Sequence, residues 1–275
     1  MTLSFARLGD DPIIVARRLT INAANNAERI QLIAPSGLPR IKPDDDLAAL
    51  IVAGLAPDKL QDHDVVVLAQ KIVSKSEGRL FRLSDVTPSP EAVDYGRKVD
   101  KDPRLVELIL RESKEVVRAI TGVLIVEHRL GFVMANAGID ASNVDDPDQV
   151  LLLPADPDRS ARRLREQFKE IAGVDVGVVI NDSWGRAWRM GTTSAAIGAS
   201  GVPGLLDLRG QPDMNGRILR VTEIGHADEI ASAASLVMGQ AAEGRPVVIV
   251  RGLGAPPRDG TAAELVRPKR MDLFR

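Results

Sequence analysis

The sequence predicts an α+β fold with mixed and antiparallel sheets and flanking helices. Three observations carry that expectation. Apolar runs of strand length and amphipathic runs of helix length are mixed without the strict strand-helix-strand rhythm of a doubly wound sheet. The segment TGVLIVEHRLGFVMANAGID reads as a hairpin, which implies at least one antiparallel sheet. A chain of 275 residues, 44% of them hydrophobic, is enough for a proper core.

Residues 1–30 are polar, rich in Asn and Arg and weakly periodic; they read as an extension or opening hairpin ahead of one domain over 31–252, with 253–275 as a tail. In LIAPSGLPRIKPDDDLAALIVAGL a strand breaks at Pro35 and Gly37 and a proline-bounded loop follows. A helix then starts where Asp44 or Asp45 can cap it, with Leu47, Leu50, Ile51 and Leu55 on one face. VVVLA is a strand, and QKIVSKSEGR a basic loop beyond its end. A proline-rich loop around Pro88 and Pro90 leads to DPRLVELILRES, where Asp102 as N-cap and Pro103 in the first turn mark a helix start. The hairpin turns near Arg129 to Gly131. DPDRSARRLREQFKEIAG is an amphipathic helix with Ala161, Leu164, Phe168 and Ile171 on its apolar face, stopped by Gly173. VDVGVVI is a buried strand running into Asn181, Asp182 and Ser183, and MGTTSAAIGASGVPG is a small-residue stretch. RILRVT is a strand, ADEIASAASLVMGQAAEG a helix, and RPVVIVRG the last strand.

Composition narrows the function. With 36 Lys and Arg against 38 Asp and Glu, the net charge of -2 provides no global field for nucleic acid or an anionic membrane. Aromatic residues at 3% leave no stacking platform for single strands. The absence of cysteine excludes disulfides, thiolate zinc sites and a cysteine nucleophile, and fits a reducing cytoplasm. His63, His128 and His226 are isolated in sequence and read as surface or packing residues. No signal peptide or membrane-spanning apolar run is present, so the chain reads as cytoplasmic. There is no P-loop, kinase signature set, nucleophile elbow or G-x-G-x-x-G after a strand.

Three constellations at strand ends carry chemistry. Lys71, Ser74, Lys75, Ser76 and Gly78 suit a polyphosphate, with ammonium groups for charge and hydroxyls for the oxygens; a basic turn protecting an edge strand would look the same. In ANAGIDASN, Gly138 permits a tight turn, while Asn136, Asp140, Ser142 and Asn143 offer oxygen ligands or an ordinary Asx-type turn. In VVINDSWGRAWRMGTT, Asp182 and Ser183 stand at a strand end and Gly185 lets Arg186 approach. Together they place hard oxygen ligands for Mg²⁺ or Mn²⁺ beside cations for phosphate.

In this order, SGLPRIKPDDDLAALI, VVVLAQKIVSKSEGR, DPRLVELIL, GFVMANAGIDASNV, INDSWGRAWRMGTT, AIGASGVPGLLDLRG and ADEIASAASLVMGQ resemble the coenzyme F420-0:L-glutamate ligase family, also called F420-0 gamma-glutamyl ligase. The likeness covers residues 31–252. It implies a GTP-dependent ligase of coenzyme F420 biosynthesis that adds L-glutamate through gamma-linkages to the deazaflavin precursor F420-0, by way of an acyl phosphate. It also implies an unusual α+β nucleotide-binding fold without a P-loop, a homodimer, Mg²⁺ or Mn²⁺ with K⁺ as cofactors, and GTP as co-substrate. By position, Leu38, Pro39, Arg40, Ile41, Gln70, Lys71 and Lys75 would contact GTP, with Asn143 also on the nucleotide. Asp140, Asp182 and Ser183 would hold the metals. Met238, Gly239 and Gln240 would belong to the nucleotide site, Gln240 with a metal role as well. No general base is implied.

This sequence departs from the family pattern at Ser183, where threonine is common, at Asp44, where glycine is frequent, and in EHRLGF at the hairpin turn. A ligase of the same fold with a variant acceptor would carry the same loops. A non-catalytic nucleotide- or deazaflavin-binding module would be expected to have lost a carboxylate or a phosphate lysine, and Asp140, Asp182, Lys71 and Lys75 are all present.

Overall fold

The computed structural model describes residues 29–55, 58–142, 144 and 146–272. The reading of residues 1–28 as an extension therefore lies outside the described residues, as does Asn143. In chain order the elements are β1 (Gln31–Ile33), α1 (Leu47–Gly54), β2 (Val65–Ala69), α2 (Gln70–Ser76), β3 (Leu80–Arg82), α3 (Pro90–Val99), α4 (Pro103–Arg111), β4 (Ser113–Ile120), β5 (Val123–His128), β6 (Val133–Ala135), β7 (Gln149–Leu151), α5 (Pro157–Ala172), β8 (Gly177–Arg186), β9 (Arg189–Ser200), β10 (Leu206–Asp207), β11 (Glu223–Ile224), α6 (His226–Met238) and β12 (Val247–Arg251). The class is α+β, with one mixed sheet and separate antiparallel ones, as the sequence predicts.

The main sheet has the order β1-β12-β2-β8-β9, in which only β2 and β8 run parallel. Its central strands carry continuous apolar runs, over Val65–Ala69, 178–180 and 247–250, because both faces are covered there. Val66, Leu68, Val178, Ile180 and Ile249 pack with α1 and α5 residues on one face, including Ile51, Leu164 and Phe168. Val65, Val67, Val179, Val248 and Val250 pack with Ala227, Ile230, Ala231 and Ala234 of α6 on the other. A parallel pair needs a crossover, and here residues 70–176 supply it. That excursion contains a second body: α3 and α4 pack on the antiparallel sheet β4-β5-β6, and the pair β3-β7 lies beside them. Among the described residues no helix is long and apolar enough to cross a membrane.

Several expectations are corrected. The basic stretch after β2 is the helix α2, and β2 lies between β12 and β8, so its lysines do not protect an edge. The N-cap of α1 is Asp46, whose side chain accepts from the Ala49 N–H, while Asp45 accepts from Lys42 N–H. Asp44 instead takes a left-handed φ of 66°, the conformation that favours glycine. The proline-rich loop becomes α3, capped by Ser89 with Pro90 in its first turn. In α5, Gly173 closes the helix in the left-handed region as expected, but Ile171 is 46% exposed rather than on the buried face. The small-residue stretch is the long strand β9, and β8 continues through Asp182 to Arg186 instead of ending there. RILRVT is not a regular strand: it belongs to an exposed arm over residues 206–224 that contributes only the short pair β10-β11 and a bridge between Pro212 and Ile218.

Candidate functional site

One end of the main sheet opens into a cavity of about 860 Å³. Into it run the C-terminal end of β2, the first turns of α2, the outer half of β8, the facing part of β9, the loop after β6 and the loop between α6 and β12. Leu38, Pro39, Arg40, Ile41, Gln70, Lys71, Lys75, Asp140, Asp182, Ser183, Met238, Gly239 and Gln240 all line it. Residues far apart in sequence thus meet because β2 and β8 lie side by side, with Ala69 opposite Asn181.

Asp140 is delivered by backbone geometry. Asn136, Ala137 and Gly138 all adopt left-handed φ values, of 52°, 53° and 68°. A Cβ at Gly138 would stand 2.9 Å from Met134 Cε and 3.0 Å from Leu153, so glycine is needed there for space as well as conformation. Beyond that turn, Asp140 exchanges both backbone hydrogen bonds with Leu151, at 3.0 and 2.8 Å. Its carboxylate accepts from the Ser142 N–H at 2.6 Å, the Asx-type turn that the motif allowed, and lies 2.6 Å from Lys71 Nζ. Lys71 Nζ also donates to Ser142 Oγ at 2.8 Å. The turn reading of the motif is thus met, and the same turn sets the Asp140 carboxylate facing the Lys71 ammonium. Desolvation would raise the Asp140 pKa, but the Lys71 ammonium and the Ser142 hydrogen bonds hold it below its ordinary value.

Asp182 has a different balance. It shares the face of β8 that carries Val178 and Ile180, since alternate residues of a strand point the same way. Desolvation pushes its carboxyl up to about 7; the Ser183 N–H and Lys71 act against the rise, and Asp140 adds to it. The Lys71 ammonium thus acts on both acidic groups.

Other expectations fare differently. Gln70 lines the cavity but is buried, and its Oε1 accepts the Ser74 hydroxyl at 2.9 Å. Ser74 and Ser76 turn inward to Gln70 and to the Val73 carbonyl, so their hydroxyls do not line the cavity. Arg186 lies out on the β8-β9 hairpin, its guanidinium on the Met190 carbonyl. His128 is a packing residue, fully buried, with Nδ1 accepting from the Leu130 N–H. Sequence reasoning missed Met134, Trp184, Thr192, Ser194 and Arg245 as lining residues. Arg245 stands one residue before Pro246 at the start of the last strand, and a basic residue at that strand end was the available signal.

Known proteins match the chain over most of its length. The F420-0:Gamma-glutamyl ligase family profile matches residues 37–252. The coenzyme F420:L-glutamate ligase of Methanothermobacter thermautotrophicus is 45% identical over 250 residues, covering 90% of this chain and 99% of that protein. The protein of the same name from Methanopyrus kandleri is 48% identical over 250 residues, 88% of this chain and 97% of its own. That from Archaeoglobus fulgidus is 41% identical over 247 residues, 90% and 97% of the two chains. With its profile matched over most of the chain and such identity across nearly whole relatives, the protein belongs to the F420-0:gamma-glutamyl ligase family.

Proposed function

We propose that this protein is a GTP-dependent ligase that joins the amine of L-glutamate to the terminal carboxylate of F420-0, extending the coenzyme through gamma-linkages. The observation that carries the reading is the convergence of Lys71, Lys75, Asp140, Asp182, Ser183 and Gln240 on one cavity at the parallel strand pair. Family membership supplies the acceptor and the amino acid; cations beside hard oxygen donors support the nucleotide.

In the proposed reaction, an acceptor carboxylate oxygen attacks the γ-phosphorus of GTP and the bond to the β-phosphate oxygen breaks, giving an acyl phosphate and GDP. The glutamate nitrogen then attacks the acyl carbon, phosphate leaves with the bonding pair, and the nitrogen loses its proton. Lys71 and Lys75 neutralise charge on the transferred phosphoryl, and the protein's contribution is chiefly positioning and electrostatics. The donor set suits a divalent cation in type: Asp140 and Asp182 are hard carboxylates sharing one lysine, and the Ser183 hydroxyl and Gln240 amide line the same cavity. These residues would hold Mg²⁺ or Mn²⁺, which neutralises phosphate charge when bound; K⁺ is taken over from the family resemblance. Leu38 to Ile41 and Met238 to Gln240 would frame the nucleotide.

We also propose that the chain works as a homodimer. Support comes from two projections rich in exposed apolar residues, Met214 (104%) and Val221 (85%) on the 206–224 arm, and Trp188 and Met190 at the β8-β9 hairpin. An isolated two-stranded projection is marginal in water and gains from being covered.

Mass spectrometry of purified protein incubated with F420-0, L-glutamate, GTP and Mn²⁺, with ATP as control, tests the reading. Product masses rising by whole glutamate residues with GDP release are expected. GTP binding without glutamate addition would point to a variant acceptor, and no nucleotide binding would overturn the assignment.

A further inference from the structure

Trp184 is the one aromatic side chain among the described residues that line the cavity. It stands two residues beyond Asp182 on β8, on the same strand face and roughly 7 Å along it. Its indole is half-buried and fixed: it packs against the main core, and the Phe132 ring lies 5.7 Å away, tilted by 42°. Phe132 itself does not line the cavity, so it supports the indole from the core side. The rest of the lining near Trp184 is small or polar: Gly185, Thr192, Ser194 and Ser183. A half-buried indole in this wall, among Gly185, Thr192, Ser194 and Ser183, has no aromatic partner within the cavity lining. Tryptophan is an expensive choice for filling space where its N–H must also be satisfied, whereas a flat π-surface suits a planar heteroaromatic ligand.

We propose that Trp184 is the stacking platform for the planar ring of a substrate, either the guanine base or the deazaflavin. This inference rests on the proposed function and adds a ring subsite to its phosphate and carboxylate chemistry. The position couples recognition to reaction, because the platform and Asp182 ride on one rigid strand. A ring seated on the indole is held in fixed register with the carboxylates, so losing the platform impairs binding more than the chemical step.

The chain has two tryptophans, Trp184 and Trp188, and Trp188, 74% exposed at the hairpin turn, lies outside the cavity lining. The experiment uses the full-length protein as Trp188→Phe, leaving Trp184 as the single indole reporter. Its fluorescence lifetime is followed during titration with GTP and, separately, with F420-0, because a lifetime is insensitive to absorption by the deazaflavin. Calorimetric affinities and steady-state kinetics are then compared for Trp184→Leu and Trp184→Phe. One of the two ligands is expected to shorten the Trp184 lifetime. For that ligand, Trp184→Leu should lose roughly tenfold to a hundredfold in affinity, the range of base-aromatic stacking, with KM rising far more than kcat falls. Trp184→Phe should recover most of the loss. Which ligand loses affinity in Trp184→Leu identifies the ring as guanine or deazaflavin, because energy transfer to a deazaflavin bound anywhere in the cavity would also shorten the lifetime. An unchanged lifetime with both ligands, while both bind and turn over, would overturn the platform and leave the ligase reading intact. Equal losses for both ligands in Leu and Phe variants would mean Trp184 only supports the fold, which also overturns it. If the unmutated protein binds neither ligand, the functional reading itself fails.

Discussion

With its ammonium 2.6 Å from one Asp140 oxygen, Lys71 neutralises that carboxylate and acts at longer range on Asp182. Asp140→Ala and Asp182→Ala are expected to abolish metal-dependent turnover while moving the thermal transition little, because the Lys71–Asp140 pair is about one-third exposed and such pairs contribute at most about 1 kcal/mol. Intact turnover in both variants would remove the metal assignment. Lys75→Ala should weaken GTP by roughly 1.5–3 kcal/mol, the worth of a hydrogen bond to a charged group; nucleotide titration by calorimetry reads this directly, and an unchanged affinity would remove Lys75 from the phosphate site. Glu112 poses a separate case, away from the cavity. Burial would raise its pKa, but the nearby His128 imidazole, the Arg129 hydrogen bond and the charges of Arg79 and Arg129 bring it to about 2, well below the ordinary 4.5. The Arg129 and Arg79 nitrogens stand 2.9 and 3.1 Å from Oε2, with His128 Nε2 at 3.5 Å. Because the folded value is depressed, the stabilisation is fully present above the unfolded value and is lost as pH falls toward the folded one. Thermal melts should therefore lose on the order of 3 kcal/mol between about pH 4.5 and pH 2 from this group, and Glu112→Gln should flatten that part of the profile. An equally steep acid limb in the Gln variant would show that the cluster is not responsible.

Packing between elements sets the next group of expectations. Gly198 of β9 lies against the start of α5, and a Cβ there would strike the Pro157 carbonyl, which is backbone and cannot rotate away. Gly198→Ala should cost about 3 kcal/mol by forcing the helix off the sheet, measurable by chemical denaturation; a loss below about 1 kcal/mol would mean that α5 yields easily. This contact also explains why β9 was not legible as a strand. Its Gly and Ala residues have little strand propensity of their own, and they form a strand because two helices approach it so closely that Gly198 meets α5 while Ala196 and Ala199 meet the layer of α6. VVVLA and RPVVIVRG were readable because a strand buried on both faces is a continuous apolar run. Residues 103–111 were readable from Asp102 followed by Pro103, and 157–172 from an amphipathic repeat closed by Gly173. The helix α2 was hidden because its seven residues are too few for an apolar repeat to show and only Gln70, Ile72, Val73 and Ser74 are buried. In the cavity, Asp140, Asp182 and both lysines could be found from residue type in the segments after the apolar runs, even though Asp182 sits within β8 and the lysines in α2. Trp184 could not, because an isolated aromatic gives no sign of which cavity it will face.

For the whole molecule, the proposed dimer predicts that light scattering will give twice the chain mass, and that Val221→Asp together with Met214→Asp will shift it toward the monomer without unfolding it. A wild-type protein that elutes as a monomer at micromolar concentration would send the exposed arm to a different partner. The sheet topology has a further consequence, for the chain as it is made. Both neighbours of β2 come late: β8 begins at Gly177 and β12 at Val247. During synthesis from the N-terminus, the strand Val65–Ala69 therefore emerges with both hydrogen-bonding edges open and waits while residues 70–176 are built. Long-range pairing of this kind is slow and leaves apolar strands exposed to aggregation. The nascent protein is thus expected to need chaperone shelter until Val250 has cleared the ribosome, and its cavity, which draws Lys71 from before that wait and Gln240 from after it, comes into being only at the last stage of translation.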